Sequence, residues 1–197
     1  MDTDTRHPRP LRRDAARNRA LVVQASLEVF GEFGSLGTVE QVADRAGVGR
    51  ATVYRSFPTR EALLSAIGVH QIAELADIAR SCQAGAHQPG MAFVDYVYAF
   101  FEYSRANRLY LELFRAEMAA EVAAARDETR VLLSALIEQA RQAGLVHPDV
   151  VDDDFILLTT GLAVQITLDP TSSLDRWLRA PGLVLIALGV PREIALR

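Results

Sequence analysis

Residues 38–60 read Thr38-Val-Glu-Gln-Val-Ala-Asp-Arg-Ala-Gly-Val-Gly-Arg-Ala-Thr-Val-Tyr-Arg-Ser-Phe-Pro-Thr-Arg60. Thr38 with Gln41 three positions on forms a capping box, whose two side chains satisfy the first free amides of a helix. Val39, Val42, Ala43 and Ala46 give that helix an apolar stripe. Gly47 ends it, because glycine takes the left-handed conformation at no steric cost. A second short helix covers 50–57 and is closed by Pro58. Val53 and Phe57 can pack on Val42, Ala43 and Ala46, which turns Arg50, Thr52 and Arg55 outward. This is the pattern of a helix-turn-helix, in which the first helix braces a second that fits the major groove of DNA.

The outward residues have the chemistry for that groove. Arg can bind guanine through two hydrogen bonds, a pairing worth about 1–3 kcal/mol of discrimination. The Tyr54 hydroxyl suits a backbone phosphate, and Thr38 and Arg60 stand at helix starts, where free amides and the helix dipole favour anions. The expected DNA-binding set is therefore Thr38, Arg50, Thr52, Tyr54, Arg55 and Arg60.

Charge points the same way. The chain of 197 residues carries a net −4, which by itself does not suggest a nucleic-acid partner. Residues 1–60, however, hold ten Arg against seven acidic residues (+3), and residues 61–197 hold eleven against eighteen (−7). The positive end coincides with the motif, on an otherwise acidic body.

Outward from the motif the pattern is helical throughout. Residues 1–11 are polar with two prolines and are expected as a flexible arm. Ala16, Ala20, Val23, Leu27 and Phe30 predict a helix over 13–33, stopped at Gly34. Thr59 caps a long helix over 59–82, with Glu61 favourable in its first turn. After a loop at 83–90, helices are expected over 91–106, 108–118, 121–143, 152–168 and 174–188. The expected fold is all-α with nine helices: a three-helix head containing the helix-turn-helix (12–58), and a six-helix body (59–197).

The body is rich in aromatic residues. Phe93, Tyr96, Phe100 and Tyr103, with Phe114 and Met118 on the following helix, are candidates to line a site for a hydrophobic or aromatic small molecule. Core packing is the competing reading for each of them, and Phe100 and Phe101, being adjacent, cannot face the same way. The last two helices carry apolar residues on more than one face, as in 155–158, 162–166 and 183–188. Either they are fully buried or they form a homodimer surface.

The run from Ala43 to Leu63, with Ala25, Val29-Phe30, Glu32-Phe33-Gly34 and Thr38-Val39 before it, resembles the signature of the TetR family of bacterial transcriptional regulators. The likeness covers about 50 residues; the remainder agrees in helix number and length without a family motif. The resemblance implies a three-helix DNA-binding head and a six-helix body holding an effector pocket and a dimer surface of two terminal helices per chain. It implies DNA-facing roles for Thr38, Arg50, Thr52, Tyr54 and Arg60, and a pocket between the long connecting helix, helix 91–106 and the later body helices. Gly49 stands where the family often has Ser as the recognition-helix cap; this costs only a few tenths of a kcal/mol but puts one phosphate contact in doubt.

The expected function is thus a ligand-responsive, dimeric transcriptional regulator, a repressor, released from a palindromic double-stranded DNA operator by a hydrophobic or aromatic small-molecule effector. The alternative is a small-molecule-binding helical protein or enzyme whose corner motif is incidental. Catalysis is not expected. His7, His70, His87 and His147 are scattered, Asp152-Asp153-Asp154 reads as a helix start, and no nucleophile elbow or phosphate loop occurs. No metal or other cofactor and no membrane partner is expected, since no apolar stretch approaches the roughly 18 residues of a span. A lone Cys82 and an acidic, non-hydrophobic start suit the cytoplasm.

Overall fold

A computed structural model describes residues 9–107, 120–169 and 171–196. Among them the chain is all-α, with nine α-helices, one 3-10 turn and no strand. The helices are α1 (Arg9–Phe33), α2 (Val39–Ala46), α3 (Arg50–Ser56), α4 (Arg60–Gly85), α5 (Met91–Ala106), α6 (Ala120–Gln142), α7 (Asp152–Leu168), α8 (Leu174–Ala187) and α9 (Arg192–Ala195); the 3-10 turn is Gly34–Leu36. The helix expected over 108–118 lies outside the described residues, as does the expected arm through residue 8. A short α9 after Pro191, which the hydrophobic pattern did not suggest, closes the described chain.

The chain forms two compact units, Met1–Ile67 and Gly68–Arg197. The division falls inside α4, because its first two turns carry Leu63 and Ile67, fully buried in the first unit. In that unit α1 begins at Arg9, with Pro10 in the first turn, where a missing N–H leaves no helical bond unmade. Its buried face is Val22, Ala25, Ser26, Val29 and Phe30. The expected stripe shared only Phe30 with it. Ala16 and Ala20 are exposed, and Val23 and Leu27 only half-buried. Small alanines fit either face of a helix, so spacing alone selected the neighbouring row.

The corner between α2 and α3 follows its local chemistry. Thr38 N–H donates to Gln41 Oε1 at 2.9 Å, and Gln41 N–H donates to Thr38 Oγ1 at 3.2 Å, closing the capping box. Gly47 ends α2 at φ 66°, ψ 31°, and Val48 N–H returns to Ala43 O at 3.0 Å. Val42, Ala43, Val53 and Phe57 are buried, while Ala46 is half-buried.

In the second unit α5 is the central helix, packed on α6, α7 and α8. Phe93, Tyr96, Val97, Phe100 and Phe101 are all buried along it, so it is apolar on most of its circumference. The two adjacent phenylalanines part as their spacing requires. Phe101 meets the Trp177 indole edge-on at 6.4 Å, and Phe100 turns toward a cavity. Trp177 belongs to α8, which continues through Pro181. The backbone of α9 lies directly against Gly182, where a Cβ would meet Ala195 O at 2.9 Å, and the Tyr98 hydroxyl donates to that same carbonyl at 2.7 Å. One described helix, α4, is long and apolar enough to cross a membrane. Its apolar positions instead pack within protein, Leu63 and Ile67 in the first unit and Ile72, Leu75 and Ala79 in the second.

Candidate nucleic-acid interface and body cavity

Helix α3 is short, and its two faces differ sharply. Val53 and the following Phe57 are inside, 0% and 2% exposed. Arg50, Tyr54 and Arg55 project into solvent, with Thr52 half-buried beside them. Arg50 and Tyr54, four residues apart, share one face, and Arg55 extends it by a third of a turn. Arg50 makes one loose ion pair, 3.5 Å to Glu40 of α2, with both side chains largely in water. Gly49 caps α3 through its carbonyl, accepting from Thr52 N–H at 2.8 Å, and contributes no side-chain cap.

Thr38 stands exposed at the start of α2, its oxygen already accepting the Gln41 amide. Arg60 sits differently from the rest of the set. It is half-buried, donates to Gly37 O at 2.6 Å, and lies over the Phe30 ring at 4.9 Å. Two other arginines brace the same unit. Arg19 donates to Ser56 O at 2.9 Å and covers the Phe57 ring at 4.2 Å. Arg45 bridges α2 to α1 through Glu32 (2.9 Å) and Glu28 (3.1 Å). Those hydrogen bonds, Glu32 first, raise the Arg45 guanidinium above its ordinary range.

The second unit holds a cavity of about 250 Å³. Ile72 and Leu75 of α4, Tyr96 and Phe100 of α5, and Phe155 of α7 form its apolar wall. Thr129 of α6 and Thr159 and Thr160 of α7 also line it, with Arg126, Asp127 and Arg130 of α6. Of the expected ligand-binding residues, Tyr96 and Phe100 line this cavity. Phe93 is 1% exposed and packs edge-on against Phe155 at 5.5 Å, outside the lining. Tyr103 donates to Glu74 Oε2 at 2.8 Å, joining α5 to α4. Phe114 and Met118 lie outside the described residues. Aromatic content alone did not reveal the threonines. Their signal is a polar pair, Thr159-Thr160, inside an otherwise apolar helical run.

On the surface of the second unit, α7 exposes Leu157 and Leu168, and α8 exposes Leu174, Leu178 and Leu183. The adjoining Asp169 turn is held by polar contacts. The Thr171 hydroxyl (2.7 Å), the Thr171 amide (2.8 Å) and Arg176 all donate to the Asp169 carboxylate and hold it below the usual range. Asp152, Asp153 and Asp154 form the first turn of α7, and among the described residues no three His, Cys, Asp or Glu side chains are placed together so that they could hold a metal ion.

Residues 22–67 match the family model for bacterial regulatory proteins of the tetR family. Residues 88–180 match that for the C-terminal domain of SbtR-like transcriptional regulators. The chain is 30% identical over 128 residues to the HTH-type transcriptional regulator RutR of Escherichia coli K12, a match spanning 64% of this chain and 60% of RutR. Among solved structures, a TetR transcription regulatory protein from Mycobacterium vanbaalenii is 30% identical at a TM-score of 0.62, covering 80% of this chain and 97% of that one. A TetR transcriptional regulator from Streptomyces coelicolor is 28% identical at a TM-score of 0.64, covering 87% and 98%.

Proposed function

The chain belongs to the TetR family of bacterial regulatory proteins, and from that membership we propose that it is a ligand-responsive, DNA-binding repressor. The observation that carries this reading is the two-faced α3: Val53 and Phe57 anchor it while Arg50, Tyr54 and Arg55 are offered to solvent. Arg50 is the base-reading candidate, with Thr52 beside it; Tyr54 and Arg55 serve phosphates. Thr38 spends its oxygen on the cap and keeps a hydroxyl proton for a phosphate at the α2 start. Arg60, which holds Gly37, presents the start of α4 to the backbone in the same way. The first unit is the DNA-binding domain, and the second binds effector and dimerises through α7 and α8. Two heads on a two-fold axis read half-sites about one helical turn apart, so the operator is roughly palindromic.

A small hydrophobic or aromatic molecule in the body cavity is the releasing signal. Release requires that it bind the DNA-incompetent arrangement more tightly, since equal affinity for both shifts nothing. Helix α4, with residues in both units, is the element through which that preference is transmitted, and the coupling expected is about 1–3 kcal/mol.

The test is selection of genomic fragments followed by footprinting, with the wild type and an Arg50→Ala/Tyr54→Ala variant. The wild type should protect a palindrome, with affinity falling steeply as salt rises. The variant should lose the footprint while keeping its helicity and dimeric state. An intact dimer that protects no site at low salt overturns the proposal and favours the incidental-corner alternative.

A further inference from the structure

We propose that Arg19 is a positioning residue for DNA recognition: from α1 it fixes the roll of α3 and so sets the base discrimination of that helix. The inference rests on the reading of α3 as the recognition helix and adds a residue that contacts no base. Its starting point is how little else holds α3. The helix has seven residues, far below the roughly 12–15 at which an isolated helix becomes even marginal. Gly49 gives its start no side-chain cap. Its apolar grip is one-sided, through the buried Val53 and Phe57. These stand four residues apart, on one line along the helix. A line of contact fixes where a helix lies but leaves it free to roll about that line.

Arg19 supplies a contact off the line. Its Nη1 donates to Ser56 O at 2.9 Å, and its guanidinium carbon stands 4.2 Å from the centroid of the Phe57 ring. Ser56 is the last residue of α3, and the last carbonyls of a helix have no partner within it. A cation is favoured at that end of the helix dipole. Ser56 lies about 100° around the helix from Phe57, so this bond and the two apolar anchors together define the orientation. One guanidinium serves both contacts, donating in its plane while its face covers the ring. Its own frame is firm, because α1 is anchored one turn later by the fully buried Val22.

Discrimination depends on that orientation. With side chains a helix is about 10–12 Å across, so a roll of about 20° carries an outward side chain about 2 Å. Hydrogen bonds to base edges tolerate about half an ångström. Phosphate contacts carry no sequence information and can be remade by long side chains. A rolled α3 therefore loses discrimination while the unit keeps its nonspecific grip on DNA.

The test is fluorescence anisotropy with the full chain over a salt series. Each form is measured on the footprinted operator, on the same operator with the base pair most critical to the wild type changed, and on nonspecific DNA. Arg19→Met keeps an apolar stem over Phe57 without donor or charge, Arg19→Gln keeps a donor alone, and Arg19→Lys keeps both. Arg19→Met should lower operator affinity about tenfold or more, the scale of one mismatched base pair, and bind the changed operator almost as well as the true one. Its nonspecific affinity and salt slope should stay near the wild-type values. Arg19→Gln should fall between, and Arg19→Lys should restore most of the discrimination; if Arg19→Met does not unfold cooperatively, Arg19→Gln is judged by the same criteria. Equal losses on operator and nonspecific DNA, with the salt slope smaller by about one, would make Arg19 a phosphate ligand and overturn the proposal. A lower thermal midpoint with full discrimination would overturn it too, as the mark of a brace that stabilises without positioning. A wild type that selects no operator overturns the recognition-helix reading itself, before any variant is compared.

Discussion

At the scale of single residues, the arginines of the first unit divide by what they touch. Arg19, Arg45 and Arg60 each reach across the fold to a carbonyl, a carboxylate pair or an aromatic face. Arg50 and Arg55 stay in solvent, Arg50 with a loose pairing to Glu40. A guanidinium already committed to the fold is less available to a nucleic acid, so substitutions in the two groups should differ in kind. Gly49 is the cleanest position at which to strengthen the reading helix. Its φ of −68° and ψ of 147° suit any L-residue, and a Cβ there meets nothing within 4 Å. Ser at this position would add the missing side-chain cap. Gly49→Ser should therefore stabilise the unit by a few tenths of a kcal/mol, read as a higher urea midpoint at unchanged slope. A lowered midpoint would mean that the cap geometry is not the one described.

At the scale of elements, the sequence announced most helix ends where a side chain or a special backbone conformation marks them. The capping box at Thr38, the left-handed Gly47 and the acidic start of α7 at Asp152 all lie where their chemistry placed them. What local pattern could not resolve was which row of a helix turns inward when alanines stand in both, as in α1. Nor could it foresee α9, whose four residues are held from outside by Tyr98 and by the bare backbone of Gly182. The cavity was half legible for a related reason. Aromatic residues advertise an apolar wall, but Phe93 and Phe100 on one helix are separated into core and lining only by the neighbours they meet. Gly182 tests how α9 is attached. A Cβ there would come within 2.9 Å of a backbone oxygen and 2.6 Å of the Leu196 side chain, and the backbone atom cannot move without shifting the helix. Gly182→Ala should cost about 1–3 kcal/mol, the range for overpacking, and should speed amide exchange at 192–196 before that of α5. Unchanged stability and exchange would show that α9 yields without cost.

At the scale of the whole molecule, the decisive question is what covers the outer faces of α7 and α8. Leu157 is 72% exposed, Leu178 62% and Leu174 58%, three large apolar side chains in solvent on these two helices. On α7, Leu157, Gly161 and Leu168 fall close to one line, with the glycine leaving room for a partner helix to approach. A second copy of the chain is the partner that the proposed function requires, because one head alone engages only half of a palindrome. Substitutions at Ile166 or Leu185 would be uninformative, since both lie in the core and would disturb folding itself. Leu157→Glu with Leu178→Glu instead places charge on a face already in water, so the single chain should keep its helicity and thermal cooperativity. Sedimentation at micromolar concentration should then report a monomer where the wild type is a dimer. Operator affinity should fall by about 100-fold or more, because the second half-site is no longer engaged at high effective concentration. Binding to nonspecific DNA, which depends on one positively charged head, should change little. A doubly substituted chain that still sediments as a dimer would move the interface elsewhere. A wild-type monomer that grips a palindrome tightly would remove the need for an interface.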